Sequence, residues 1–206
     1  MENHKQLVKT IMLRLMVLAV LVVSLAGTSV WAGKGNSSGG TVLSEAEAEM
    51  LTFMREEEKL ARDVYIEMFE LWDAVIFSNI VDSEQKHMDT MGKMIDKYGL
   101  PDPVLPGLGQ FTNPDLQEKY FELVQVGSVS YIDGLYVGAT IEEIDMVDIQ
   151  HAIDITSRLD IVNAYQNLLE GSKSHLKAYV GALDTQGFDY SPQFISQELF
   201  DAIMDL

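Results

Sequence analysis

The 206-residue chain contains no cysteine and sets 32 Asp and Glu against 14 Lys and Arg, a formal net charge of −18. The first fact excludes disulfides, zinc–thiolate sites, iron–sulfur clusters and thiol nucleophiles. The second makes nucleic acid and anionic lipid poor partners and cations good ones.

In chain order, Lys5, Lys9 and Arg14 precede a charge-free apolar run from Leu15 to Leu25, and Val30-Trp31-Ala32 follows with small residues where a signal peptidase reads. That order reads as a secretory signal peptide over residues 1–32, cleaved near Ala32. The run falls short of the roughly 20 apolar residues that a membrane span needs. The expectation is a secreted or periplasmic protein with no membrane attachment after cleavage. Without that leader, 174 residues remain, with 11 basic and 31 acidic side chains and a net charge of −20. Residues 33–43, rich in Gly and Ser, read as a flexible leader.

The rest reads as helix almost throughout. Ser44 with Glu47 has the form of a capping box and opens a helix to about Trp72. Its apolar residues, from Met50 and Phe53 to Val64 and Met68, recur at spacings of three and four. A second helix runs from about Ala74 to Tyr98 and stops at Gly99-Leu100-Pro101. Residues 99–113, with three prolines and three glycines, form a loop, and Asn113-Pro114 caps a short helix to about Val126. Ser130 with Asp133 opens a third long helix to about Thr156. A fourth runs from about Ile161 to Leu183, and Ser196 to Met204 forms a short terminal helix. The fold class is all-α: four long helices over residues 44–185 with a mid-chain crossover carrying a short extra helix, then a C-terminal extension over 186–206. One long connection between two helix pairs is the ferritin-like antiparallel four-helix-bundle arrangement.

Ligand-type residues fall on the stripes that face such a core. Glu84 and His87, three apart, share a face with Ile80 and Met91. Glu58 lies on the stripe of Met54, Ala61, Tyr65 and Met68, whereas Glu56 and Glu57, about 200° and 100° around the axis, read as solvated. Glu142 and Asp145 share a stripe with Gly138, Ile149 and Ala152. Glu143 is the rival to Glu142, which is preferred for sharing a face with Asp145. His175 lies with Leu168, Ser172, Tyr179 and Ala182. Four buried carboxylates and two imidazoles, Glu58, Glu84, His87, Glu142, Asp145 and His175, are about what two divalent ions need, and without metal the acids would repel one another. Tyr65 and Tyr179, each one turn from a candidate ligand, are placed to hydrogen-bond a bound oxygen species.

Glu58-x-x-Ala61-x-x-x-Tyr65 followed by Glu84-x-x-His87 resembles the first half of the rubrerythrin and bacterioferritin di-iron site. Wider stretches, Glu57 to Tyr65, Ser83 to Met88, Ile141 to Asp145 and Gly171 to Leu176, resemble the ferritin-like domain-of-unknown-function 2202 family. The resemblance implies two divalent metal ions, iron first and manganese second. It also implies redox activity toward peroxide or dioxygen as a small oxidant, with an external electron donor, since the chain has no electron-transfer module. The alternative is a non-catalytic metal-binding or stress module, or a structural bundle that has lost its metal. A homodimer is among the expected states. One departure stands out: the related proteins repeat Glu-x-x-His on the fourth helix, and here Ser172 takes the Glu position. Asp145 is expected to restore that carboxylate, leaving the His175 half-site the weaker one.

Overall fold

The computed structural model describes residues 42–205. The expected signal peptide and nearly all of the leader lie outside the described residues. From Glu45 onward the chain forms one compact unit. The chain is all-α, with six helices and no strand among the described residues. They are α1 (Glu45–Trp72), α2 (Val75–Tyr98), α3 (Pro114–Gly127), α4 (Tyr131–Asp154), α5 (Leu159–Thr185) and α6 (Gln197–Met204). No helix among the described residues is long and apolar enough to cross a membrane.

Local chemistry sets the ends. Helix α2 stops where Gly99 takes a left-handed φ of 69°, with Leu100 N–H donating to the Ile95 carbonyl, six residues spanned in Schellman fashion. Asn113 accepts from the Asp115 and Leu116 amides to start α3, and Pro114 needs no donor in that first turn. Ser130 accepts from the Asp133 amide at the head of α4. Helix α5 starts two residues before the sequence pattern predicts, because Arg158 already has extended backbone and Val162 N–H reaches its carbonyl.

The four long helices pack α1 on α2, α4 on α5, α1 on α4 and α2 on α5, so each touches two others around a common interior. Met54, Val64 and Met68 of α1, Phe77, Met88 and Met91 of α2, Leu135 and Ile149 of α4, and Leu168, Leu176 and Leu183 of α5 fill it. Helix α3 lies against α1 and α4. Helix α4 is therefore covered by α1, α3 and α5, and nearly every residue from Asp133 to Met146 is buried.

Two irregular segments are held by buried acids as well as by apolar contact. Glu56 on α1 accepts from the Thr112 and Asn113 amides at 2.6 and 3.1 Å. One turn on, Lys59 donates to the Gly107 carbonyl and to Asp63, and Asp63 accepts from the Gly109 amide. Together they fasten the 99–113 loop onto α1. At the other end, Glu143 on α4 accepts from the amides of Gln193, Phe194 and Ile195 and from the Tyr190 hydroxyl. Burial on this side of α1 corrects two expectations. Glu56 and Glu57 are not solvated but 3% exposed each, because the loop and α3 cover the face of α1 that the periodicity left to water.

Candidate metal centre

Glu58 from α1, Glu84 and His87 from α2, Glu142 from α4 and His175 from α5 converge midway along the long helices. They form two sets, Glu58–Glu84–His87 and Glu84–Glu142–His175, and within each set one ligand-type atom per residue lies within 4.8 Å of the others. Glu84 belongs to both. Its Oε2 is 2.8 Å from His87 Nδ1, and its Oε1 is 2.8 Å from His175 Nδ1. His87 Nδ1 also lies 3.2 Å from Glu58 Oε2, and His175 Nδ1 lies 3.4 Å from Glu142 Oε2. The two imidazole rings stand 5.6 Å apart.

The surroundings orient these groups. Ser83 Oγ lies 2.9 Å from His175 Nε2, which turns Nδ1 of that ring toward Glu84 and Glu142. Ser83 escapes the stripe argument, and the only sequence signal for it is its place beside Glu84. The Tyr65 hydroxyl donates to Glu142 Oε1 at 2.6 Å, and the Tyr179 ring packs 5.4 Å from that of Tyr65. Glycine at 171 leaves room for the His87 ring: a Cβ there would come 2.5 Å from it, so α5 approaches α2 just where the imidazole sits.

The electrostatics are those of several carboxylates and two imidazoles buried against one another. Burial pushes Glu58 up to about 8, with the Glu84 charge adding to the effect and His87 opposing it. Burial also pushes Glu84 upward, but the two imidazoles outweigh it and hold this carboxyl down at about 2. Burial pulls both imidazoles down, yet Glu58 and Glu84 push His87 up to about 11, and Glu142 with Glu84 push His175 up to about 10. Protons on His87, His175 and Glu58 stand in for positive charge. Even so, Glu58 Oε1 and Glu84 Oε1 are buried without a hydrogen-bond donor, and His175 Nδ1 approaches Glu84 outside hydrogen-bonding geometry. Buried lone pairs that converge without bonding one another suit a metal ion, since a buried polar atom left unpaired is costly.

Five of the six sequence-derived residues share these two sets. Asp145 does not. It lies in the same buried region, where burial and then the Glu58 and Glu142 charges push it well above the usual carboxylate range. Ser172 donates to its Oδ2, while its Oδ1 faces no donor. His175 has two acid neighbours, Glu84 and Glu142, as many as His87 has in Glu58 and Glu84. Of the rival pair on α4, Glu142 faces the cluster and Glu143 faces the C-terminal segment.

Comparison with known proteins agrees on the family. A family model described as an uncharacterized protein domain (DUF2202) matches residues 47–206. The chain is 46% identical over 163 residues to the uncharacterized protein MJ0754 of Methanocaldococcus jannaschii, covering 79% of this chain and 88% of that one. The crystal structure of the hypothetical protein MJ0754 superposes with a TM-score of 0.80 at 44% identity, over 83% of this chain and 98% of that chain.

Proposed function

We propose that this chain, which belongs to the DUF2202 family, forms a ferritin-like antiparallel four-helix bundle whose core holds two divalent metal ions, iron in the first place or manganese. The observation that carries this reading is the sharing of Glu84 between two carboxylate–imidazole sets supplied by all four long helices. Glu58 and His87 would hold one ion, Glu142 and His175 the other, with Glu84 common to both. Such a pair, when bound, supplies Lewis acidity and one-electron chemistry toward peroxide or dioxygen.

The chain's own residues supply the rest. Ser83 fixes the His175 ring, Tyr65 fixes the Glu142 carboxylate, and the apolar side chains around them keep bulk water out. With no cysteine in the chain, electrons would come from an external donor. The residues before the bundle fit export, so the oxidant would be met outside the cytoplasm.

The test is metal content per chain after anaerobic reconstitution with ferrous or manganous ion, followed by peroxide consumption with an artificial electron donor. Two equivalents and donor-dependent turnover are expected. Two equivalents without turnover would leave a binding module, and less than about half an equivalent would overturn the metal centre itself.

A further inference from the structure

Beside the cluster, a small pocket opens between α1, α3 and α4. Its walls include Leu60, Ala61, Leu123 and Ile144, and its polar lining is Glu57, Asp145 and Lys119. The acids are unusually placed. Glu57 is 3% exposed, neither of its carboxylate oxygens has an N–H donor, and its carboxyl faces that of Asp148, one turn from Asp145 on α4, close enough for the two to share a proton. The Lys119 ammonium lies 3.8 Å from Glu57 Oε1, beyond hydrogen-bonding distance, and His151 is a second basic group facing Asp148. Asp145 Oδ1 is likewise buried and without a donor. Asp148 is half-buried, Glu57 and Asp145 are buried, and Glu58 is the next charge inward from Asp145. Carboxyl groups thus succeed one another from half-buried Asp148 through the pocket, lined by Glu57 and Asp145, toward Glu58.

A structural role accounts poorly for this. Packing would be served better by apolar residues of similar volume, because buried acids without donors are a cost. A cation passing inward would repay that cost, and its stepping places would be the carboxylate oxygens left without an N–H or hydroxyl donor, both of Glu57 and Oδ1 of Asp145.

We propose that this pocket is the port through which divalent cations reach the buried cluster, with Glu57 and Asp148 as a transient cation-binding pair and Asp145 as the relay to Glu58. Lys119 offsets one of the port's negative charges in the absence of an ion. An entering ion displaces its ammonium, which swings on its flexible stem to the nearby surface. The inference rests on the two-metal reading above.

The probe is cobaltous ion, followed by stopped-flow absorbance, with the stoichiometry at equilibrium measured separately. Wild type is expected to bind two ions. Glu57→Gln should load about tenfold more slowly, and Lys119→Met should load faster, both ending at two ions, since charges lining a narrow entrance act chiefly on association rate. Opposite rate changes at constant stoichiometry are not produced by a merely structural pair. If Glu57→Gln does not fold, Asp148→Asn, half-buried and outside the core, decides the matter with the same slow loading. Unchanged rates with two ions bound overturn the port and leave the metal centre standing; wild type that binds no cobalt overturns both.

Discussion

Two adjacent glutamates of α4 end in unlike surroundings because a helix turns about 100° per residue. Glu142 points at His175 and takes a hydrogen bond from Tyr65, whereas Glu143 gathers three amides and a hydroxyl from residues 190–195. Their substitutions should therefore separate. Glu143→Gln replaces acceptor lone pairs by an N–H₂ facing amide donors. It should lower stability by about 1–3 kcal/mol, the range for disturbed buried hydrogen bonds, without changing metal stoichiometry. Glu142→Gln should lose one ion of two. Glu84→Gln should lose both, since it alone belongs to both sets. Denaturant titration alongside cobalt binding checks all three, and equal stoichiometry for Glu84→Gln and Glu142→Gln would show that Glu84 is not shared.

At the scale of the helix, the stripes facing the common interior were legible because every long helix keeps a 3.6-residue repeat there; Ile80, Glu84, Met88 and Met91 of α2 are all buried. The opposite face of α1 was not legible. Glu56, Lys59 and Asp63 look like an ordinary solvated row, and what buries them is a loop some fifty residues away in sequence, which no local pattern announces. Ser83 and Gly171 escaped for a related reason, since their roles depend on which helix faces them. Sequence periodicity predicts that Glu56→Ala leaves metal binding unchanged. The observed bonds add a cost in stability: the variant should leave the Thr112 and Asn113 amides without their acceptor and cost about 1–3 kcal/mol, read by thermal or denaturant unfolding. Gly171→Ala tests the α2–α5 approach. Its methyl group must displace the His87 ring, so metal affinity should fall while the helical circular-dichroism signal stays that of wild type. Unchanged affinity would mean that the ring moves without consequence for binding.

For the molecule as a whole, the buried cluster ties stability to pH in a way that depends on metal. Glu58 stands at about 8 in the folded chain against an ordinary 4.5, and His87 and His175 stand at about 11 and about 10 against 6.5. All three are raised, so their contribution is fully present below the unfolded values and is lost as pH rises through the folded ones. Asp145, Glu142, Glu57 and Asp148 are raised as well and act with the same sign. Glu84, lowered to about 2, acts oppositely, but only below 4.5. The metal-free protein should accordingly lose thermal stability as pH rises above about 4.5, where Glu58 begins to contribute less, more steeply above about 6.5, where the two imidazoles join it, and on toward about pH 10. Ions bound at the cluster would take the place of those protons, and binding would release them, so affinity, and with it the stabilisation by metal, should rise over the same interval. Calorimetric melting temperatures measured with chelator and with excess manganous ion should therefore diverge as pH increases. Parallel curves would mean that no cation competes with protons for the cluster, and the acids on the four helices would then need another explanation for their burial together.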